Sequence, residues 1–288
     1  MIEQNTSFYT EISPKKTWTG LNVKEVWKFR DLLLLFVRRD FVSVYKQTIL
    51  GPIWFFIQPV LTTVTFVFIF GNLAQLSPDG LPKVLFFMSG IVCWNYFSEC
   101  INATANTFTK NANLFGKVYF PRIIAPLSVV ISSLIKFGIQ FLLFIAIYLY
   151  FIFAKGVHFN MNAWIFIFPL LILLMALLGL GFGLIITALT TKYRDLTFLV
   201  TFGVQLLMYA TPVVYSLDKL TQKLGDKYRW VIELNPMTHV IETFRYGFFG
   251  EGSVSITGLM YCSVFALVLF LFSWMVFNRV EKNFMDTV

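Results

Sequence analysis

Two ionisable side chains, Glu99 and Lys136, stand inside stretches that are otherwise apolar. Each costs about 2.5–3.5 kcal/mol at mid-helix in a bilayer, and less near an end. Groups placed there contact substrate phosphates, bias a gate or pair with each other. At about 1.5 Å per residue both fall in the inner half of their segments. The simpler reading sends Lys136 along its stem to the inner interface and leaves Glu99 near water, because the third apolar segment is longer than a bilayer needs. Other reactive sets are missing. The chain has no HxxxxD, no DxD and no paired carboxylates with a nearby base, so a membrane-embedded transferase would lack its centre. His158 and His239 have no ligand spacing. Cys93, Cys100 and Cys262 lie in apolar segments, where a thiol behaves as a small hydrophobe, so we expect neither a metal site nor a disulfide framework.

The elements that hold these residues follow from composition. The 288 residues are 57% hydrophobic with 34 Phe and only 13% charged, against about 25% charged in an ordinary soluble domain. Six segments have the roughly 20 apolar residues a span requires, at about 52–74, 84–104, 123–153, 163–189, 196–217 and 254–277. The expected fold is an all-α integral membrane protein of six transmembrane helices. Residues 1–20 lack the apolar core of a signal peptide, so the N-terminus is expected in the cytoplasm. With it inside, fifteen of the 23 Lys and Arg fall on inner connections, seven fall on outer ones, and Lys136 lies within the third segment. That excess places both termini inside. The division is then a tail at 1–23, an interface helix at 24–50 and a six-span domain at 51–288.

The stretch "RRDFVSVYKQTILGPIWFFIQ" changes character at Gly51-Pro52. On a helical wheel Lys24, Lys28, Asp31, Arg38, Arg39 and Lys46 share an arc of about 100°, with Val26, Phe29, Leu33, Phe36, Val37, Phe41 and Val44 off it. Arg30 and Asp40 fall outside the arc, and Leu35 and Val42 fall on it. This predicts an amphipathic helix whose Lys28, Arg38, Arg39 and Lys46 face anionic headgroups, closed by Gly51-Pro52. A merely basic flank is the alternative. Between the last two segments, "RWVIELNPMTHVIETFRYGFFG" holds two short apolar pieces separated by Asn235-Pro236. Neither is long enough to cross. Pro236 suits the first turn of the second piece, and Glu242 and Arg245, three apart, share a face. Two short helices dipping into the outer leaflet fit best, with a surface loop as the alternative.

Taken in order, "RRDFVSVYKQTILGPIWFFIQPV", "KYRDL", "TPVVYS" and "LNPMTHVIETFRYGFFG" resemble the permease subunit of bacterial ABC transporters that export polysaccharides, across roughly residues 30–285. The resemblance implies a homodimer in the cytoplasmic membrane, short re-entrant outer helices between spans five and six, and a lipid-linked glycan passing at the dimer centre. It also implies two copies of a separate ATPase subunit that binds ATP and Mg. "NLFGKVYF" agrees, because it lacks the upstream Gly and the following Ser or Thr of a phosphate loop, so no cofactor is expected on this chain. No nucleic-acid partner is expected.

The resemblance also assigns candidate roles. The inner connection Asn106–Arg122 would be the coupling helix, with Leu114, Phe115, Val118, Tyr119 and Phe120 as apolar anchors and Lys110, Lys117 and Arg122 as charges. The "KYRD" turn and the N-terminal helix would assist. The first and fifth spans would border the path, making Trp54, Phe55, Tyr209 and Tyr215 candidates for stacking on sugar C–H faces. Asn235, Pro236, Glu242 and Arg245 would shape the outer gate. A related permease moving a lipid or drug would show the same spans. A secondary transporter would need matching broken spans in both halves. The glycine-rich "LLGLGFGLIITAL" has no counterpart in the first half, so we expect it to serve close helix packing.

Overall fold

The computed structural model describes residues 23–46, 49–115, 117–190, 195–225 and 229–283, and every regular element among them is a helix. The tail at 1–22, the stretch 191–194 that holds most of "KYRD", and the last five residues lie outside that description. The segment expected to form the interface helix folds as α1 (Val23–Lys28) and α2 (Arg30–Tyr45), separated at Phe29. Its end differs from the expectation. Gly51-Pro52 opens the next element: Gly51 has φ +52°, and Pro52 begins a short 3-10 turn that runs directly into α3 (Trp54–Phe66). A residue without an N–H suits a first turn, where that donor has no helical acceptor.

Beyond α3 the first span continues over Val67–Leu73 with the wider i→i+5 spacing of a π-helix, the Ala74 N–H donating to the Ile69 carbonyl at 2.9 Å. The chain goes on through α4 (Lys83–Ala105), α5 (Thr107–Phe115), α6 (Ile124–Lys155), α7 (Phe168–Thr190) and α8 (Leu196–Tyr209). Then come α9 (Leu217–Leu224), α10 (Arg229–Glu233), α11 (Pro236–Phe249) and α12 (Ile256–Asn283). Among the described residues, five stretches are long and apolar enough to cross a membrane: Gly51–Leu73, Lys83–Ala105, Ile124–Lys155, Ala163–Thr190 and Ile256–Val280. The remaining segment, the fifth at 196–217, is helical over the 14 residues of α8, which is about 21 Å. The rest of it, 210–216, is a turn that leads into α9.

The core is α4, buried on nearly every side and packed against α3, α6, α7, α8 and α11. Its contact with α7 answers the glycine-rich stretch. A Cβ at Gly179 would lie 2.5 Å from the Cys100 Cβ, and one at Gly183 would lie 2.5 Å from the Thr104 Cβ. Small residues four apart let two backbones approach, and in a bilayer that approach carries the packing. The Thr187 hydroxyl crosses the same seam to the Thr104 carbonyl, and Thr190 crosses it to the Ala105 carbonyl. Gly181, pointing elsewhere, receives Leu269 of α12.

Candidate translocation path and coupling surface

α3 and α8 both pack on α4 but leave broad faces uncovered. Those faces are not uniformly apolar. On α3, Trp54, Gln58, Thr62 and Thr65 recur at spacings of four, four and three, which keeps them in one stripe, and all are exposed or half-buried. On α8, Thr197, Thr201, Gln205 and Tyr209 do the same at spacings of four. The hydroxyls of Thr62, Thr65 and Thr201 donate back to the carbonyls four residues earlier, which lowers their cost in an apolar setting. The π-helical continuation of the first span meets α8 where Phe70 and Tyr209 place their ring centres 6.4 Å apart.

Of the four aromatic candidates for the path, Trp54 and Tyr209 thus lie on the stripes. Phe55 and Tyr215 do not. Phe55 is buried and stacks on Phe41 of the interface helix at 6.1 Å. Tyr215 is buried in the turn after α8, its hydroxyl donating to the Ala210 carbonyl. The glutamine and threonine members were missed in the sequence, although their i, i+4 recurrence inside apolar segments was a visible signal.

The outer-gate candidates converge on the same turn. Asn235 caps α11, its side-chain oxygen accepting the Met237 N–H, while its amide donates to the Thr211 hydroxyl at 2.7 Å. Pro236 occupies the first turn of α11 and is buried. Nine residues on, the buried Arg245 guanidinium donates to the carbonyls of Pro212, Val213 and Phe86 and to the Ser89 hydroxyl. It also lies 3.8 Å over the Phe86 ring and 3.4 Å from Glu242. A Cβ on Gly90 would come within 2.9 Å of it, so glycine makes room for the head group. The second Glu242 oxygen accepts the Ser253 N–H. Burial pushes the Glu242 carboxyl up, with Arg245 and then the Ser253 N–H opposing; burial likewise lowers Arg245 to about 10. α11 is therefore latched to the end of α8 at two points and to α4 at one.

At the other end of α4, the coupling candidates divide into two groups. Leu114, Val118 and Tyr119 are exposed, as are Lys110 and Lys117, and Arg122 is half-buried. Phe115 and Phe120 are buried and belong to a run of rings. Phe277 of α12 stacks on Phe108 of α5, which meets Phe115, then Phe120, then Phe36 of α2, each step between 5.1 and 5.6 Å. Arg122 lies over the Phe115 ring at 5.9 Å. Phe115 and Phe120 thus connect α5 to α2 and α12 and offer nothing to a partner's surface. Lys28 of α1, Arg38 and Arg39 of α2 and Lys46 just beyond it are exposed, and Arg39 also pairs with Asp40 at 2.8 Å.

The intramembrane charges depart from the simpler reading. Lys136 does not reach away from Glu99; its Nζ meets the Glu99 Oε1 at 2.5 Å. Four residues along each helix, the Asn95 amide donates to the Gln140 side-chain oxygen at 3.1 Å. Together they form a two-rung polar ladder between α4 and α6.

Comparison with known proteins gives this arrangement its context. Residues 31–249 match the family model described as ABC-2 type transporter, from α2 through α11. This chain belongs to the ABC-2 type transporter family. Among its relatives is the O-antigen export system permease protein RfbA of Klebsiella pneumoniae, 26% identical over 89% of this chain and 94% of that protein. RfbA of Myxococcus xanthus is 25% identical over 92% and 98%. The capsule polysaccharide export inner-membrane protein CtrC of Neisseria meningitidis is 22% identical over 85% and 89%. The ABC-2 match takes in both stripes, the Arg245 latch, the coupling segment and the Glu99–Lys136 ladder, while Lys28 and α12 lie outside it.

Proposed function

We propose that this ABC-2 protein is the permease subunit of an exporter that moves a lipid-linked polysaccharide across the bacterial cytoplasmic membrane. It works as a homodimer with two copies of a separate ATPase subunit, which bind ATP and Mg. Both termini face the cytoplasm. The observation that carries this reading is the pair of polar stripes on α3 and α8, each ending in an aromatic ring, on faces this chain leaves uncovered. Side chains that can hydrogen-bond are expensive toward lipid and useful toward a hydroxyl-rich polymer. Two copies facing each other across these helices would enclose a path lined by threonine, glutamine, Trp54 and Tyr209. The relatives named for O-antigen and capsule export support the same cargo class.

The ATPase docks, in this reading, on the exposed Leu114, Val118 and Tyr119 with Lys110 and Lys117 around them. Movement of α5 then passes through Phe108, Phe115 and Phe120 to α2 and α12. Glu99 and Lys136 stabilise the α4–α6 seam, so that α4 carries displacement toward the Arg245 latch. Co-purifying the chain with a co-expressed ABC ATPase from its gene neighbourhood, and measuring ATP turnover with and without lipid-linked glycan, tests the proposal. A stable complex with glycan-responsive turnover is expected. A chain that binds no ATPase would overturn it.

A further inference from the structure

We propose that the end of the molecule bearing α10 and the start of α12 holds a saccharide groove of two adjoining subsites. Two clefts, of about 390 and 610 Å³, share one wall made by Ser253, Val254, Ser255 and Thr257. Both fall in the size range of small-ligand sites. Each has an aromatic pair on its remaining lining: Trp230 and Tyr261 in the first, Trp164 and Tyr246 in the second. The rings are held in place. Tyr261 donates its hydroxyl to the Leu234 carbonyl at 2.8 Å, Trp164 meets Tyr246 edge-on at 6.2 Å, and the Trp164 backbone N–H donates to the Asn162 side-chain oxygen. Trp230 is 62% exposed, so an apolar ring is offered to whatever enters.

The charges select the ligand class. Arg229 binds Glu233 at 2.8 Å, and Glu242, at the back of the first cleft, is matched by Arg245. Among the described residues, the second cleft is lined by no ionisable group other than Tyr246. A phosphate would find no surplus of positive charge among the described residues. A neutral ring with hydroxyls on its edges and C–H bonds on its faces finds aromatic platforms beside carboxylate and hydroxyl partners. Two such subsites side by side suit consecutive residues of a chain. Only the role of the groove rests on the exporter reading, which places this end outside the cell, where a polysaccharide leaves the path.

The test uses the full chain in lipid nanodiscs and saturation-transfer NMR. The probes are methyl glycosides of glucose, galactose, mannose and N-acetylglucosamine, and short linear oligosaccharides of each. An oligosaccharide should receive saturation more strongly than its monomer. Trp230→Ala and Trp164→Ala should each weaken binding roughly three- to tenfold, and together abolish it. Trp27→Ala, exposed on α1, should change nothing. No transfer to any probe, or equal transfer in Trp230→Ala, overturns the groove; that ring is too exposed for its loss to be a folding defect. Glycan-responsive ATP turnover with no saccharide binding leaves the exporter standing without the groove. Binding through Trp230 in a chain that recruits no ATPase leaves the groove standing without the exporter.

Discussion

Arg245 shows how one residue sets the geometry of its surroundings. Its five donors are directed to three carbonyls, a hydroxyl and a carboxylate, and its plane covers the Phe86 ring. Lysine, with three donors on a point charge, cannot reproduce that fork. Removing one member of a buried ion pair costs about 3–5 kcal/mol, because the other is left charged and unsolvated. Arg245→Met should therefore lower the thermal unfolding midpoint in detergent sharply, and Arg245→Lys should recover only part of it. The double variant Glu242→Gln with Arg245→Met should be less damaged than the sum of the singles, since neither change then strands a charge. Additive losses would mean that the carbonyl bonds, not the pair, hold α11 down. Spacing suggested the Glu242–Arg245 pairing, but spacing three apart says nothing about Pro212, Val213 or Phe86, which come from distant parts of the chain. The same limit applies to Glu99 and Lys136, whose partners are 37 positions away.

Among the elements, the α4–α7 seam and the α5 connection make opposite demands. The seam needs absence of side chain. A valine at Gly183 would force its Cβ against Thr104, and overpacking of this kind costs about 1–3 kcal/mol. Gly138, with nothing within 4 Å of a Cβ, is the control, and Gly138→Ala on α6 should be neutral or stabilising by about 0.5–1 kcal/mol. Comparing the unfolding midpoints of the two variants separates close packing from helix propensity. The α5 connection instead needs exposed apolar surface. Val118 and Tyr119, at 56% and 65% exposure, should carry partner affinity, whereas Phe115 at 5% should carry stability. Replacing Val118 and Tyr119 together by Ala is expected to weaken ATPase co-purification at least tenfold with no change in unfolding temperature, for a loss of about 2 kcal/mol. Phe115→Ala should show the reverse, a lowered unfolding temperature. The family resemblance singled out the connection in the sequence, but it could not sort docking rings from packing rings, because both are simply aromatic until their neighbours are known.

At the scale of the whole molecule, the spans were readable because apolar length alone defines them, and the π-helical end of the first span and the shortened α8 were not, because backbone spacing leaves no mark on composition. What composition also hid is direction: 18% of the chain is aromatic, so no ring announces which side it faces. The polar stripes resolve this. If α3 and α8 border a water-filled path, single cysteines at Gln58, Thr62 and Thr65, and at Thr197, Thr201 and Gln205, should react with a membrane-impermeant thiol reagent in the assembled exporter. Cysteines at Val64, Leu199 and Leu206, exposed in one copy but apolar and off the stripes, should stay unmodified, because a thiol in hydrocarbon does not ionise. The three native cysteines are buried, so the background is low. Labelling that recurs every three to four residues would align one face of each helix with water, a pattern that a lipid-facing helix cannot produce. Uniform protection along both helices would instead assign the stripes to packing between copies and move the path elsewhere. Because the exposed polar faces of α3 and α8 give the cargo its route, this periodicity decides whether the dimer arrangement can transport at all.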